Sequence, residues 1–167
     1  MIVQKNNPIL KEAAKNIKNT GSLEIKELIK KLADAMFSEP DGIGIAAPQI
    51  GVSLRIFLVA EEALRMDKGA AGENKNNKNK NYITFINPVF KKKSVKKSKD
   101  VEGCLSVRGI YGEVLRPEKL TIEYFDESGK KHARGASSLF ARVLQHEMDH
   151  LDGILFTDKA KHIKRVI

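Results

Sequence analysis

The feature that most constrains this chain is a pair of histidines four residues apart, His146 and His150, in the sequence HEMDH. On a helix, residues i and i+4 lie one above the other on the same face, so both imidazoles can bind a single metal ion. In H-E-x-x-H sites the intervening glutamate, here Glu147, serves as general base toward water. The motif therefore predicts a helix that carries two metal ligands and a base.

The surrounding residues support a helix here, although a five-residue match is short and an ordinary exposed helix is the competing interpretation. Ser137 and Ser138 are candidate N-caps, and Gly153 stands where a helix is expected to stop. Apolar residues recur at helical spacing at Phe140, Val143, Leu144 and Leu151. Unpaired imidazoles on a buried or half-buried helix are costly, and a metal would satisfy them.

Two histidines leave a metal ion short of a third protein ligand. The chain has four histidines and a single cysteine, Cys104, in the sequence EGCLS, so Cys104 is the obvious candidate. A lone cysteine is by default a small buried hydrophobic residue, which is the alternative interpretation. One cysteine also excludes an internal disulfide, and it suits a reducing compartment.

Length and composition predict a single globular domain that spans residues 1–167. The 41% of hydrophobic residues suits such a domain. No apolar run approaches the roughly 20 residues of a membrane span, so no membrane partner is expected. The N-terminal sequence lacks secretory and organellar targeting features, and we therefore expect a cytoplasmic protein. From 68 to 81 the composition narrows to residues that cannot bury a core face, which predicts a disordered insertion.

The formal net charge of +9 raises a nucleic-acid-binding domain as an alternative function. Much of the excess lies in one lysine run, formed by Lys91, Lys92, Lys93, Lys96, Lys97 and Lys99. No aromatic residues suited to base stacking are interleaved with it, so a solvated face or a flexible loop is the favoured interpretation. A weaker hypothesis is electrostatic attraction to ribosomal RNA.

The order of the predicted elements indicates the fold class. An amphipathic helix is followed by a glycine-rich loop, several strands and the HEMDH helix. These segments are Ile25–Met36 for the helix, Asp41–Gly51 for the loop, and Leu54–Ala60, Ile83–Ile86, Leu120–Phe125 and a partner from near Lys130 for the strands. Strands that precede a helix, without regular βαβ alternation, predict an α+β fold with antiparallel sheets.

Three segments in this order resemble the signature of the peptide deformylases. They are GIGIAAPQIG at Gly42–Gly51, EGCLS at Glu102–Ser106 and HEMDHLDG at His146–Gly153, and the resemblance extends from Asn7 to Phe156. It implies a hydrolase that removes the formyl group from the initiator methionine of nascent polypeptides. It also implies that the HEMDH helix packs centrally among the antiparallel sheets, and that N-formylmethionyl peptides and a transient ribosome contact are the partners.

The resemblance also assigns roles at the reaction centre. Cys104, His146 and His150 would hold one divalent metal ion, and Glu147 would carry the proton. The side-chain amide of Gln49 and the backbone N–H of Leu105 would bind the oxyanion. A Cys/His/His set suits zinc by ligand softness, whereas the resemblance implies Fe(II), with nickel or cobalt as replacements.

The substrate site follows from the same resemblance. The peptide would pair in extended form with the backbone near Gly44 and Gly103, and Val143 would line the methionine pocket. Ile43 and Tyr111 are further candidates for the rim. Glu102, Arg116 and Asp149 would form a charged cluster that braces the helix against the EGCLS segment.

The chain departs from the usual family pattern at Ile45, where many relatives have leucine, at Arg108, where many have proline, and at Tyr111, where some have arginine. These departures bear on substrate preference. The competing enzyme class is a metallopeptidase with the same helix, whose third ligand usually lies downstream. That ligand is usually a His, Glu or Asp; the only downstream histidine here is His162, and the other two motifs would then be unexplained.

Overall fold

The computed structural model of the protein describes residues 1–67 and 80–166, so most of the predicted insertion, residues 68–79, lies outside the described residues. Three α-helices are present in these ranges: α1 (Leu23–Phe37), α2 (Glu62–Asp67) and α3 (Ser138–Leu151). The strands are β1 (Gly44–Ala46), β2 (Ile56–Ala60), β3 (Tyr82–Lys93), β4 (Lys97–Cys104), β5 (Val107–Pro117), β6 (Lys119–Phe125), β7 (Lys131–Ser137) and β8 (Lys161–Arg165). Within the described ranges, none of the helices has the length and apolarity needed to cross a membrane.

The strands form two antiparallel sheets, which confirms the predicted α+β class. One sheet has five strands in the order β1-β2-β3-β6-β7, and the other has three in the order β4-β5-β8. The β4–β5 hairpin turns at Leu105 and Ser106, so Cys104 stands at the end of a strand just before a tight turn.

The part of the five-stranded sheet formed by β1 and β2 is buried on both faces, which explains the uninterrupted apolar run of β2. Ile56 and Leu58 pack with α1 in one core cluster, whereas Phe57 and Val59 pack with α3 in another. Because alternate residues of a strand point to opposite faces, a strand between two helices must be apolar throughout. The other side of α3 meets the three-stranded sheet, where Arg142 reaches the carbonyl of Val114. The HEMDH helix is therefore central, as predicted.

The start and the end of α3 are fixed differently. Ser137, one of the two predicted candidates, occupies the N-cap, although its side chain makes no capping hydrogen bond. Instead the N–H of Ser138 donates to the carbonyl of Glu118, which ties the helix start to the neighbouring β-segment. At the other end Gly153 has a φ of +72°, the left-handed conformation expected after a helix.

The glycine-rich stretch from 41 to 51 was predicted as a loop, and this prediction is wrong for its centre. Residues 44–46 form β1, which pairs with β2, and Ala47–Ile50 form a 3-10 helix. Gly44 is required by a close approach, since a Cβ atom there would lie 2.5 Å from Oε1 of Glu147. The glycine therefore brings an edge strand against the helix that carries the HEMDH motif.

Strand β3 runs through Asn87 and Pro88, where the sequence predicted that it would end. Asn87 has a φ of +47°, and the register against β6 shifts between Ile86 and Val89. The Asn87 side chain bonds the backbone of Ile17 through both its oxygen and its nitrogen, each at 2.8 Å. A β-bulge thus accommodates the proline, and the strand continues into the lysine run.

The lysine run is exposed, as predicted, but it lies mostly on strands, so the flexible-loop alternative is wrong. Its residues are distributed over the end of β3, the connecting turn and the start of β4. Three of them have weak ion pairs, with Glu113, Glu118 and Glu123 at 3.3–3.8 Å. The run is a charged corner at which the two sheets meet.

Candidate metal centre

Three metal-ligating side chains from two elements meet beside a cavity. Cys104 comes from the end of β4, and His146 and His150 come from successive turns of α3. The ligand atoms of these residues all lie within 4.8 Å of one another, and Sγ of Cys104 is 3.3 Å from Nε2 of His150. The structure therefore brings the predicted ligand set together from positions more than forty residues apart.

The donor atoms fit a tetrahedral metal ion. Nδ1 of His146 lies 3.0 Å from a carboxylate oxygen of Glu102, which leaves Nε2 of that ring for a metal. Metal-binding histidines usually have such a carboxylate partner, because it fixes the orientation of the ring. At metal–ligand distances of about 2.0–2.3 Å, sulfur and nitrogen ligands lie roughly 3.5 Å apart, close to the observed separation. One thiol and two imidazoles are a donor set for a divalent transition metal.

Burial lowers the pKa of both histidines, but their hydrogen bonds and neighbouring charges give them opposite net shifts. At His150 burial lowers the pKa, and the neighbouring charge on His146 adds to this, so the ring is neutral and its lone pair is available. At His146 burial also opposes the charged form, but hydrogen bonds with Cys104 and Glu102 outweigh it and raise the pKa. A metal ion would replace the proton that these groups share.

Glu102 is the centre of a buried charged network that holds His146. Arg116 donates to Glu102 at 2.8 Å and to Asp149 at 2.9 Å, and Arg142 donates to Glu102 at 2.8 Å. Burial would raise the pKa of Glu102, but the hydrogen bonds from Arg116 and His146 outweigh it and lower the pKa far below its ordinary value. Glu102 is therefore ionised at every working pH. The predicted cluster of Glu102, Arg116 and Asp149 is confirmed.

Glu147 lies between the two histidines and projects toward Gly44 on β1. The residue is 4% exposed, and among the described residues its Oε2 atom has no hydrogen-bond partner. Burial raises the pKa of this carboxyl to about 7, and the neighbouring Glu102 also raises it while His146 lowers it. A carboxyl with a pKa near neutrality and a free oxygen is suited to accept and return a proton.

The side chain of Gln49 reaches the candidate ligand Cys104. Its Nε2 atom donates to Sγ of Cys104 at 3.6 Å and to Oγ of Ser106 at 3.2 Å. Its Oε1 atom accepts from the backbone N–H of Ala46 at 2.9 Å, which fixes the amide orientation. The amide therefore ties down the backbone of its own loop and also contacts a candidate metal ligand.

A cavity of about 360 Å³ opens beside this centre. All of the predicted catalytic and substrate-binding residues line it, together with two of the three candidate ligands: Ile43, Gly44, Gln49, Glu102, Gly103, Cys104, Leu105, Val143, His146 and Glu147. His150 lies behind them and is 1% exposed. Tyr111 also lines the cavity, and its ring covers Gly103, where a Cβ atom would lie 2.7 Å from the ring.

Sequence reasoning missed Arg142 and Lys159. Arg142 is 7% exposed, and besides Glu102 it donates to the carbonyls of Val114 and Ser98. Lys159 donates to Asp149 at 2.8 Å. A signal for Arg142 exists in the sequence, since it stands four residues before His146 and therefore lies on the same helix face as a candidate metal ligand.

His162, the downstream histidine available to a metallopeptidase, does not line the cavity or join the candidate ligands. It sits on the exposed strand β8, and its Nδ1 atom is 2.7 Å from a carboxylate oxygen of Glu113. The site therefore offers no support for the metallopeptidase alternative.

Comparisons with known proteins agree with this geometry. The family model described as Polypeptide deformylase matches residues 1–166. A peptide deformylase of Carboxydothermus hydrogenoformans is 42% identical over 98% of this chain and 95% of its own length. Among solved structures, an inhibitor complex of the Plasmodium falciparum peptide deformylase has a TM-score of 0.80 and 34% identity, covering 97% of this chain and 90% of that one. The Thermotoga maritima peptide deformylase has a TM-score of 0.81 and 28% identity, covering 96% and 97%.

Proposed function

The chain belongs to the polypeptide deformylase family and is an enzyme of that class, and we propose that it is a metal-dependent hydrolase acting on N-formylmethionyl nascent peptides. It would release formate from the initiator methionine in the cytoplasm. The observation that carries this proposal is the meeting of three metal-ligating atoms beside one cavity with the buried carboxylate of Glu147, whose Oε2 atom has no hydrogen-bond partner among the described residues.

The residues that would hold the metal are Cys104, His146 and His150, whose donor atoms converge at the cavity. A divalent ion held there would supply Lewis acidity toward water and the formyl carbonyl. We propose Fe(II) as the native ion by family resemblance, and zinc, nickel or cobalt as ions that the same donors accept.

Glu147 is the proton carrier in this proposal. Its carboxylate takes the proton from the attacking water and delivers it to the amine of methionine as the formamide C–N bond breaks. The close approach of Gly44 to Oε1 of Glu147 places the carboxylate against the strand that we assign to peptide binding. Burial keeps the pKa of this group near neutrality, which suits both directions of transfer.

In this proposal two groups would bind the oxyanion that forms when water adds to the formyl carbon. The Gln49 amide is already oriented by Ala46 and lies next to Cys104, and the backbone of Leu105 lines the same cavity. One such preorganised donor is typically worth about 3–4 kcal/mol in the transition state.

The walls of the cavity supply the peptide site. Gly44 and Gly103 offer backbone groups from two strands for an extended peptide, and Val143 and Ile43 offer an apolar surface for the methionine side chain. Glu102 lines the same wall, where it also holds His146. The assignment predicts an extended substrate with its formyl end at the three donors.

The test is formate release from formyl-Met-Ala-Ser by protein purified without oxygen and analysed for metal. We expect formate and Met-Ala-Ser as the products, with no cleavage of internal peptide bonds. Metal-replete protein that releases no formate, or that cuts the peptide internally, would exclude this function.

We further propose a transient contact of the lysine run with the ribosome. The run offers six exposed ammonium groups at one corner of the fold, and its carboxylate partners are no closer than 3.3 Å. A polyanion such as ribosomal RNA would bind such a corner by counterion release, with an affinity that falls steeply with salt. Replacing Lys92, Lys93 and Lys97 by glutamine should weaken sedimentation with ribosomes and leave hydrolysis of a free tripeptide unchanged. Unaltered, salt-independent sedimentation would contradict the contact.

A further inference from the structure

The cavity has two walls that come from distant parts of the chain. One includes Asp41, Ile43 and Gly44, in the segment that leads from α1 into β1, and the other is the β4–β5 turn with the first residues of β5. At the deep end the 3-10 helix that follows β1 is joined to the β4–β5 turn by the buried hydrogen bond from Gln49 to Ser106, 3.2 Å long. At the mouth a second link joins the two walls, an ion pair between Glu39 and Arg108.

The ion pair at the mouth is bidentate. Nη1 of Arg108 donates to Oε2 of Glu39 at 3.1 Å, and Nη2 donates to Oε1 at 2.7 Å, across 69 residues of sequence. Two parallel hydrogen bonds fix both distance and orientation, which a lysine cannot reproduce. The hydrogen bonds from Arg108 also lower the pKa of Glu39, so the pair is charged on both sides at neutral pH.

The segment that Arg108 holds leads directly into the candidate peptide-binding strand. Glu39 is followed by a turn in which the N–H of Gly42 donates to the carbonyl of Glu39 at 3.2 Å. Ile43 and Gly44 come next, and both line the cavity. A displacement of Glu39 would therefore be transmitted within a few residues to the backbone that faces the substrate.

Arg108, at the other end of the ion pair, lies close in sequence to the candidate metal ligand Cys104. Arg108 stands at the second position of β5, four residues after Cys104 and three after Leu105. The bridge therefore spans the cleft between the β1 side and the side that carries the candidate metal ligand.

We infer that the Glu39–Arg108 pair is a positioning device that holds the two walls at the separation required by an extended formyl peptide. It sets the affinity for the peptide and leaves the rate of the chemical step to the groups at the deep end. This inference rests on the proposed function, since it takes the cleft to be the formyl-peptide site.

The test compares Arg108→Met, Glu39→Gln and the charge-exchanged double variant Glu39→Arg/Arg108→Glu, with formyl-Met-Ala-Ser amide as an uncharged substrate. Each single variant should raise KM by up to about fivefold, because an exposed ion pair is a weak interaction, while kcat stays near wild type. The double variant should restore part of the lost affinity. In the wild type KM should rise with NaCl toward the value of the single variants, whose KM should not change.

The matched control is Lys11→Met. Lys11 makes a similar two-oxygen ion pair, with Asp158 at 2.7 and 3.0 Å, but it does not line the cavity. This variant should lose a comparable amount of stability and keep the wild-type KM. If Arg108→Met raises KM and Glu39→Gln does not, Arg108 contacts the peptide directly and the inference is wrong. Unchanged KM in both variants would also overturn it.

Binding of the product peptide separates this inference from the proposed function. Calorimetry with Met-Ala-Ser amide should show the same loss of affinity in both single variants. If the wild type releases formate and binding is unaffected by either variant, the positioning role is wrong and the function stands. If the wild type neither releases formate nor binds the peptide, both are wrong.

Discussion

Two of the carboxylate–imidazole pairs in this molecule share their local chemistry but lie in different surroundings. In the buried pair, Nδ1 of His146 lies 3.0 Å from Glu102, and in a half-exposed pair, Nε2 of His132 lies 2.6 Å from Asp126. The buried carboxylate is 6% exposed and is shared by two arginines. The half-exposed one sits in the β6–β7 turn, where the backbone of Lys130 and both the backbone and the hydroxyl of Ser128 supply its other partners.

The difference shows what makes such a pair a functional site. The imidazole of His132 stacks on Tyr124, with ring centroids 5.3 Å apart, and no second metal-ligating group joins it among the described residues. The imidazole of His146 has Cys104 and His150 within ligand distance instead. A carboxylate that orients one nitrogen of a histidine contributes to a metal site only when the other nitrogen meets further ligand atoms beside a cavity.

The largest predicted effect tests Glu147, whose buried Oε2 atom has no hydrogen-bond partner among the described residues. Glu147→Gln keeps the shape of the side chain but cannot carry a proton, so kcat should fall by about 10²–10⁴-fold while metal content stays at the wild-type level. Glu123→Gln, on β6 outside the cavity, is the control and should be neutral. Formate release and elemental analysis measure both, and a Glu147→Gln variant with normal kcat or without metal would contradict the assignment.

The next effect compares Glu102, the carboxylate of the buried pair, with Asp126, the carboxylate in the β6–β7 turn. Glu102→Ala leaves Arg116 and Arg142 buried without their shared partner, so the free energy of unfolding should fall by about 3–5 kcal/mol. Loss of the carboxylate that orients His146 should also weaken metal binding by about 10–100-fold. Urea unfolding and competition with a chelating dye measure these losses. The comparison would fail if Asp126→Asn weakened metal binding as much as Glu102→Ala does.

The smallest effect is the pH dependence of the stability contributed by the half-exposed pair of Asp126 and His132. Hydrogen bonds from Ser128 and His132 lower the pKa of Asp126 below its ordinary value of 3.8, although slight burial acts in the opposite direction. A carboxyl with a lowered native pKa stabilises the fold above its unfolded pKa, and this stability is lost as pH falls through the native value. Asp126→Asn should therefore cost about 1 kcal/mol at pH 7, and the difference from wild type should shrink below about pH 4. A difference that persists undiminished down to about pH 2.5 would show that its origin is not ionisation.

The local elements could be predicted from the residues themselves. The long-range grouping of Cys104 with the helix histidines, and that of Glu102 with Arg116 and Asp149, were predicted through the family resemblance, and the remaining long-range contacts were not predicted. Helix α3 and its two histidines follow from periodicity and spacing within a single short segment. The contact of Glu102 with His146 joins positions 44 residues apart, and that of Glu39 with Arg108 joins positions 69 apart. Nothing in a single sequence pairs such charges, because register and sheet packing decide which of them meet.

Backbone irregularities show the same limit. The glycines at 42 and 44 predicted a loop by composition, yet Gly44 pairs with Val59 as part of strand β1. Glycine fits this position because a Cβ atom would lie 2.5 Å from Oε1 of Glu147. Asn87-Pro88 indicated a strand end, yet the Asn87 side chain holds Ile17 and stabilises a bulge. In both places tertiary contacts override a local preference.

The central claim is that Cys104, His146 and His150 form one metal site on which deformylation depends. The most direct measurement is the metal content and formate release of Cys104→Ala beside wild type, with His162→Ala as a control outside the cavity. We predict one equivalent of divalent metal and full activity in wild type and His162→Ala, and neither metal nor formate release in Cys104→Ala, because two histidines alone hold the ion weakly. Stoichiometric metal in Cys104→Ala, or full activity of metal-free wild type, would contradict the account.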